Sequence, residues 1–537
     1  MGWQHNPRMG APRNNLWIAS FIFALVGGAT SACTFVLDSK SNQCNIDSDC
    51  SNFAGFPSCQ NGVCVASNLG PPGCIATEPM KQMDYLNACT TSKFVKYDNC
   101  DQIGYGCPDK QVSLPQPAGA QNGTAGSSMN PPDPTDLCTL GAPMIGNSST
   151  PAMIWMYGSS DFGPLLKAAQ PSLSAAMQPY RAVFQNATSC QGVTQVFGKG
   201  SMADPTTSGT GGWPFYFAPD PTDRTKLVQV NCRISPMTAP NSVTEPVDIG
   251  VSDLFAPTCP GGFNPGSTVN DYTGPVVPFV FAVKAQSAQQ AISAEAAHLV
   301  FGNGGHAPMG SGMKDAAPWT DYMKYFIRNS NAGSTILASL LIDVPRNSFW
   351  GIDRVNTDNV RDGLLAVSDS ASGGAIGILS MDYADKNRGN LKALFLQAKN
   401  QTAGYLPDSG PNTTDKLNVR DGHYALWGYV HLFTALNPQQ LPSAAALAMT
   451  KLFSVPNLDQ GLVDNIIGAS LIPQCAMQVE RTEEIGDYQT RHAFSCGCYF
   501  DVKTTGSTSC KTCSSPSDCV GDPTHAFCNY GYCDTQG

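Results

Sequence analysis

The chain has 537 residues, a hydrophobic fraction of 42% and a formal net charge of −10. At about 150 residues per domain, this length predicts three or four folded units with substantial cores. The acidic balance and the lack of any run rich in lysine and arginine exclude nucleic-acid binding through a basic patch.

The N-terminal segment has the pattern of an export signal. Arg8 and Arg13 precede an apolar stretch over residues 16–29, which small residues follow. The stretch is short for a membrane span of about 20 apolar residues, so it predicts a signal peptide over residues 1–32. No later segment of the sequence is apolar enough to span a membrane. We therefore expect an exported protein.

The small residues before Cys33 resemble a bacterial lipobox, which makes Cys33 the candidate for lipidation. Thr30 stands where a leucine is usual, so ordinary cleavage after Ala32 is the alternative. Cysteine parity favours a lipid anchor weakly: removing Cys33 from the 21 cysteines leaves an even number for disulfides. The expected location is the cell envelope of a bacterium, as a periplasmic or outer-membrane lipoprotein.

Two cysteine quartets with the same spacing, C-x5-C-x8-C-x4-C, form an internal repeat near the two ends of the chain. Both quartets carry Ser-Asp before the second cysteine and a glycine two positions before the last. The disulfide candidates are Cys44, Cys50, Cys59 and Cys64, and Cys513, Cys519, Cys528 and Cys533. Export favours disulfides, and the close C-x2-C pairs of zinc sites occur only once, in "CKTC". No metal or cofactor is predicted.

Composition divides the rest of the chain. A cysteine-rich N-terminal module is expected over 33–107, a linker rich in Pro, Gly, Ser and Asn over 108–142, and a cysteine-rich C-terminal module over 476–537. The central region, 143–475, has few cysteines and must be held by an ordinary core.

Strand-like and helix-like stretches alternate in the central region, which predicts an α/β fold with mainly parallel sheets. Residues 276–284, "VVPFVFAVK", are the strongest strand candidate. The other predicted strands are "AMIWMYG", "RAVFQN", "VDIGVSD", "YFIRN" and "AIGILSM", and the predicted helices are "GPLLKAAQPSLSAAM" (interrupted at Pro171), "SAQQAISAEAAHLVFG" and "STILASLLIDV".

Small hydroxyl residues and glycines recur where these strands end. They occur in "YGSSDFG", "NATSCQG" and "RNSNAGST", and a fourth strand end places Ser252 and Asp253 at its tip. Helix starts present unpaired N–H groups, hydroxyls are adaptable donors, and the Arg328 guanidinium suits an oxyanion. One such junction is more often a plain N-cap, but four in one α/β chain indicate a site for an anion.

Signals of catalysis are missing from the sequence. No nucleophile elbow G-x-S-x-G occurs, and "GVTQVFGKGS" departs from the phosphate-loop spacing. The seven histidines form no recognised metal pair, and aromatic packing is expected for His423 and His431. We expect a protein that is not an enzyme.

The central region resembles the phosphate-binding proteins of bacterial ABC phosphate importers, in the type II periplasmic-binding-protein class. The matching segments are Gly158-Ser159-Ser160, "VDIGVSD", "VPFVFAVK", "RNSNAGS" and "AIGIL", within residues 152–455. The resemblance implies a two-lobed α/β fold, with one lobe from about 143–280 and 381–475 and the other from about 281–380. Neither cysteine module is part of the resemblance.

Carried over by position, the resemblance implies a set of ligand-binding residues. They are Ser159, Ser160, Phe162 (through its backbone), Ser189, Ser252, Asp253, Arg328, Gly333 and Ser334. Asp253 would accept a hydrogen bond from a proton on phosphate, which disfavours fully ionised sulfate. Ser330 stands where the family has an aspartate, and Ala332 where it has a serine, so the pocket is expected to be weaker or tuned to another oxyanion.

The expected function is capture of an oxyanion, phosphate first, by an exported, lipid-anchored solute-binding protein for ABC import or sensing. The expected partners are the anion, an ABC permease and the membrane. The alternative is a cell-surface structural or adhesion protein that keeps the lobed fold but has lost its ligand. Ser330, Ala332 and the flanking cysteine modules motivate that alternative.

Overall fold

A computed structural model describes the chain over residues 58–60 and 63–65 and, with short gaps, from 70 to 535. The ranges after residue 70 are 70–123, 134–146, 149–176, 179–205, 212–354, 356–368, 373–453, 458–491, 495–521 and 525–535. Cys33, Cys44, Cys50 and the predicted signal segment lie outside the described residues, as do the side chains of Cys59 and Cys64. The chain forms two compact units, Met1–Ser67 and Asn68–Gly537.

Strands and helices alternate along the chain; the first two strands lie in the first unit, and all the other elements lie in the second. The strands are β1 Ser58–Gln60, β2 Val63–Val65, β3 Phe94–Val95, β4 Asn122–Gly123, β5 Met153–Ser159, β6 Arg181–Ala187, β7 Ser201–Met202, β8 Phe215–Pro219, β9 Leu227–Asn231, β10 Glu245–Pro246, β11 Ile249–Ser252, β12 Val269–Lys284, β13 Ala291–Ser293, β14 Tyr325–Ile327, β15 Gly351–Asp353, β16 Ile376–Ser380, β17 Leu391–Ala393, β18 Phe395–Gln397, β19 Gly404–Tyr405, β20 Trp427–Ala435, β21 Val479–Glu480, β22 Gln489–Thr490, β23 Phe527–Asn529 and β24 Tyr532–Asp534. The α-helices are α1 Gln82–Leu86, α2 Asn99–Ile103, α3 Gly163–Ala175, α4 Ser189–Phe197, α5 Ala294–Asn303, α6 Gly333–Ile342, α7 Thr357–Ala366, α8 Met381–Lys386, α9 Leu417–Arg420, α10 Ala444–Leu452, α11 Gln460–Gly468 and α12 Gly497–Thr505.

One sheet of twelve strands organises the second unit. Its order is β4-β15-β14-β16-β12-β20-β11-β5-β6-β8-β9, with β17 also paired to β12. The strands β11, β5 and β6 pair in parallel, as do β16, β14, β15 and β4. The central strands β12 and β20 and the edge strands β8 and β9 pair antiparallel. The sheet is therefore mixed. The expectation of mainly parallel pairing holds only for the group β11, β5 and β6 and for the group β16, β14, β15 and β4.

The long strand β12 joins the two halves of this sheet. Residues 269–273 and 276–278 of β12 pair with β20, and its last six residues pair with β16 and β17. The register shifts between Thr273 and Val276, where Gly274 and Pro275 fit a bulge because proline has no N–H to donate. From Gly274 onward every residue of β12 is buried, which explains why the apolar run of 276–284 is the clearest strand signal.

The fold is α/β, as predicted, with two sheet halves joined through β12 and with small disulfide-bonded regions. We call the half with β5, β6 and β11 the first half, and the half with β14, β15 and β16 the second half. Two local predictions are wrong. Pro171 lies inside α3 without ending it, and the predicted helix "SAQQAISAEAAHLVFG" begins only at Ala294, where the Ser293 hydroxyl caps the Ala296 amide. Ala291–Ser293 instead form β13, which pairs with β18.

Disulfides cross-link the described cysteines. The predicted C-terminal quartet is bonded first to third and second to fourth, as Cys513–Cys528 and Cys519–Cys533. The other bonds are Cys74–Cys89, Cys100–Cys107, Cys138–Cys232, Cys190–Cys259, Cys475–Cys496 and Cys498–Cys510. The repeat is also visible in the backbone, since β1–β2 and β23–β24 are antiparallel hairpins with two cysteines directly opposite each other. Across the described ranges, the helices are too short or too polar to cross a membrane.

Candidate functional site

The predicted site residues come together where the two sheet halves meet. Ser159 ends β5, and Asp253 follows β11 in the first half. Arg328 follows β14 in the second half. Because parallel strands end at the same edge of a sheet, these side chains reach one buried cluster.

Asp253 is a fully buried carboxylate with two different oxygens. Its Oδ2 accepts hydrogen bonds from the hydroxyls of Ser159 and Ser189, the latter at 2.9 Å. No described residue donates to its Oδ1, which is also buried. Burial raises the pKa of Asp253, while the two hydroxyls and the charge of Arg328 oppose that shift. One acceptor oxygen therefore remains available to a donor that the described residues do not supply.

Arg328 is the buried cation of the cluster, with 4% of its surface exposed. Its Nη1 donates to Ser160 Oγ at 3.0 Å and to Thr357 Oγ1 at 3.1 Å. Its Nε finds no acceptor among the described residues. Burial lowers the pKa of Arg328, and the charges of Asp161, Asp353 and Asp253 act in the opposite direction. The guanidinium thus contacts neutral hydroxyls and retains unused donor capacity.

A second buried carboxylate, Asp161, belongs to the cluster and was missed by the sequence reasoning. Its Oδ1 accepts from Thr357 Oγ1 at 3.2 Å and from Ser380 Oγ at 3.1 Å. Thr357 therefore links Asp161 to Arg328. Burial, and then the negative charge of Asp253, raise the pKa of Asp161 to about 7, with Arg328 opposing.

Some sequence signals pointed toward these additional residues. Asp161 lies in the same "YGSSDFG" stretch as two predicted residues, and Ser380 ends the predicted strand "AIGILSM". Thr357 begins α7 directly after Asn356, whose side chain caps the helix. Each is another small polar residue at a strand-to-helix junction, but only the order of the strands brings the three together.

The start of α6 packs directly against the first half. A Cβ at Gly333 would lie 2.6 Å from Ser189 Oγ and 2.7 Å from Asp253 Oδ2, so only glycine fits there. Ala332 provides no side-chain cap. Ser334 is buried in the first turn of the helix. The helix therefore directs its uncapped first turn toward the hydroxyls and carboxylate of the cluster.

Two of the predicted residues have supporting positions. The Ser252 hydroxyl accepts the Leu254 N–H at 3.0 Å and so stabilises the turn that carries Asp253. The Phe162 ring is fully buried and lies 5.4 Å from the ring centre of Phe184. The Phe162 side chain therefore belongs to the core, and ligand binding through its backbone stays a prediction.

A polar cavity of about 160 Å³ lies beside Arg328. It is lined by Ile327, Arg328, Asn329, Ser330, Arg346, Asn347, Phe349 and Asp353. Ser330 thus lines open space rather than pairing with Arg328. Burial raises the pKa of Asp353, and Arg328 opposes the shift.

The two histidines expected to pack against aromatic rings do so. His423 lies 5.1 Å from the Tyr405 ring, and His431 lies 4.5 Å from Phe255. Each also contacts an aspartate through Nδ1, Asp421 at 2.7 Å and Asp271 at 2.8 Å.

Comparisons with known proteins concern the fold. No family model matches the chain, and neither does any curated protein. A putative phosphate ABC transporter substrate-binding protein with bound phosphate from Clostridium perfringens is 10% identical, with a TM-score of 0.36, over 60% of this chain and 99% of that one. An ABC-type phosphate transport receptor from Vibrio cholerae is also 10% identical, at a TM-score of 0.36, over 59% and 99%. Corynebacterium glutamicum OxyR, as a C206 mutant, is 8% identical at a TM-score of 0.29, over 62% and 69%. Such distant likenesses identify no ligand for this chain.

Proposed function

We propose that this protein binds an oxyanion, phosphate first, at the cluster around Asp253 and Arg328. The observation that carries the proposal is a pair of unused buried groups: Asp253 Oδ1 lacks a donor and Arg328 Nε lacks an acceptor among the described residues. A protonated oxyanion supplies the missing donor and the missing acceptor, since its hydroxyl donates a hydrogen bond and its other oxygens accept one. The hydroxyls of Ser159, Ser160 and Ser189 and the start of α6 add neutral donors.

The same geometry supports discrimination between phosphate and sulfate. Asp253 Oδ2 already accepts two hydroxyl protons, so Oδ1 is the oxygen left to receive a proton from the ligand. Phosphate carries such a proton near neutral pH and sulfate does not. A sulfate oxygen against a buried carboxylate would be an uncompensated repulsion.

We propose binding without reaction on the ligand. The hydroxyls of Ser159 and Ser189 donate to a carboxylate rather than to a histidine base. Activation of a serine as a nucleophile needs an adjacent base that takes its proton, and these contacts do not provide that arrangement.

We further propose capture for ABC import or sensing at the cell envelope, with a lipid anchor on Cys33 and an ABC permease as partner. The eight disulfides of the described residues support an oxidising compartment. The anchor is tested by Cys33→Ser, which should move the protein from the membrane fraction to the soluble fraction. Equal distribution of variant and parent would contradict it.

One observation favours the alternative, a structural or adhesion protein that has lost its ligand. Arg328 Nη1 and Asp161 Oδ1 both already have internal hydroxyl partners. Gly333 also occupies the space against Asp253. A ligand must replace part of this network, whereas a protein without a ligand would keep it.

Calorimetric titration of the mature chain with phosphate, followed by competition with sulfate, distinguishes the two functions. Oxyanion capture predicts a dissociation constant well below millimolar, which corresponds to more than about 4 kcal/mol of binding free energy. It also predicts that sulfate does not displace phosphate. The absence of heat with phosphate, arsenate and sulfate alike would contradict capture and favour the structural role.

A further inference from the structure

The cluster contains two buried carboxylates and one guanidinium. Asp161 has 4% of its surface exposed and Asp253 has 0%. Arg328 is linked to Asp161 through the Thr357 hydroxyl rather than by a direct contact. With both carboxylates ionised, the cluster is already negative before any anion enters. Each further negative charge in a buried site is costly, because the low dielectric strengthens repulsion.

The charged and titratable groups around the cluster do not relieve this imbalance. Asp382, after β16, is balanced by Lys386 at 3.1 Å. His431, on β20, is paired with Asp271. Asp353, at the end of β15, adds a further carboxylate near Arg328. The phenol of Tyr383 on α8 donates to Asp358. Arg328 therefore faces more negative charge than it can neutralise.

Asp161 is the carboxyl whose surroundings tolerate a proton. Both of its Oδ1 partners, Thr357 and Ser380, are hydroxyls, which can rotate to accept a hydrogen bond instead of donating one. Asp253 differs, since its Oδ2 is held by two serine hydroxyls while its Oδ1 is the proposed acceptor for the ligand. The raised pKa of Asp161, about 7, agrees with a proton being available to it near neutral pH.

We propose that the cluster takes up one proton together with its oxyanion, and that Asp161 is the residue that holds this proton. The inference rests on the proposed oxyanion function and adds a specificity-determining residue to it. In the bound state, neutral Asp161 leaves Arg328 to balance the ligand while Asp253 accepts the ligand proton. The site is then selective for a low-charge, protonated oxyanion, and binding weakens as the solution becomes alkaline.

Calorimetry with inorganic phosphate at pH 6, 7 and 8, each in two buffers of different ionisation heat, measures the protons taken up per phosphate. The proteins compared are the parent chain and Asp161→Asn, which keeps the shape and removes the charge. The ionisation of phosphate itself contributes the same proton uptake in both proteins. The difference in proton uptake between them is therefore due to Asp161. Asp248→Asn is the matched control, because Asp248 is another carboxyl whose pKa burial raises but lies at the opposite end of β11.

At pH 8 the parent and Asp248→Asn should take up about one proton more per phosphate than Asp161→Asn. Above pH 7, each further pH unit should weaken phosphate binding by these two proteins about ten-fold more than it weakens binding by Asp161→Asn, as expected for one linked proton. Asp161→Asn should therefore bind phosphate about ten-fold more tightly than the parent at pH 8 and about equally at pH 6. Asp161→Ser should behave like Asp161→Asn and provides a second variant if the amide disturbs folding.

Equal proton uptake and equal pH slopes in the parent and both Asp161 variants would overturn the role of Asp161 while leaving oxyanion binding intact. Absence of phosphate binding by every folded variant at every pH would instead overturn the oxyanion function, and this inference with it.

Discussion

Gly333 lies so close to Asp253 that a Cβ at position 333 would be 2.7 Å from Asp253 Oδ2. Gly333 begins α6 in the second half of the sheet, and Asp253 follows β11 in the first. A single missing methyl group thus lets the two halves meet at the cluster that holds Arg328.

Gly333→Ala should disturb this contact. The added methyl group would overlap Ser189 Oγ and Asp253 Oδ2, so α6 or the β11 turn must shift, at a cost of about 1–3 kcal/mol. We expect a lower melting temperature or phosphate binding weakened roughly 5- to 150-fold, measured by thermal unfolding and calorimetry. Gly163→Ala is the control, because Gly163 also begins a helix beside the cluster but has open space around its Cβ position. Equal effects of the two variants would show that the close contact at Gly333 does not matter.

Arg328→Ala should weaken phosphate binding roughly 10- to 150-fold, since hydrogen bonds to charged groups contribute about 1.5–3 kcal/mol. Arg346→Ala is the matched control. Arg346 lines the neighbouring cavity, and its acceptors among the described residues are Ser330 O and Asn331 Oδ1, at 3.3 and 3.4 Å. Calorimetry should give near-parental affinity for the control. An Arg328→Ala protein with a normal melting curve and unchanged affinity would place the anion elsewhere.

Asp253→Asn should change selectivity rather than abolish folding. The amide oxygen can still accept from Ser159 and Ser189, while the amide nitrogen replaces Oδ1 as a donor. Phosphate, which would bring a proton to that position, should bind more weakly, and sulfate should bind more strongly than it does to the parent. Competition titrations measure the ratio of the two affinities. A ratio that stays at the parental value would argue against Asp253 as the acceptor of the ligand proton.

The ligand-free protein should lose stability as the pH rises from about 5.5 to 8. Burial raises the pKa of Asp161 to about 7 and that of Asp382 to about 6, above their values in the unfolded chain. A carboxyl with a raised pKa favours the folded state while it is protonated, and that contribution is lost as the pH passes its folded pKa. Melting temperatures across this range should fall for the parent and fall less for Asp161→Asn. Melting temperatures that fall equally with pH in the parent and in Asp161→Asn would contradict a raised pKa at Asp161.

The disulfide Cys190–Cys259 should support the cluster, because Cys190 follows Ser189 in α4. It closes a loop with a sequence separation of 69 residues. Replacing both cysteines by serine should therefore cost about 4 kcal/mol of unfolding free energy and weaken phosphate binding. The same replacement at Cys100–Cys107, with a separation of 7, should cost about 2 kcal/mol and leave binding unchanged. Denaturant unfolding checks the stabilities. Equal losses for both pairs would contradict the loop-length argument.

The local pattern of the sequence determined the alternation of strands and helices, the buried part of β12 over residues 276–284 and the junctions that carry Ser159, Asp253 and Arg328. It also determined that the C-terminal cysteine quartet forms disulfides. These features depend on periodicity, helix starts and spacing within a few residues, which a single chain displays directly.

Only the tertiary structure decided which junctions face one another. Ser380 and Asp161 are 219 residues apart in sequence, and Thr357 and Asp161 are 196 apart. Their contact depends on the order of β5, β14, β15 and β16 in the sheet and on the closeness of Gly333 to Asp253. No local pattern encodes that order, because it results from the packing of both sheet halves around β12. The place of Asp161 in the cluster therefore depends on the order of the strands and not on any local pattern.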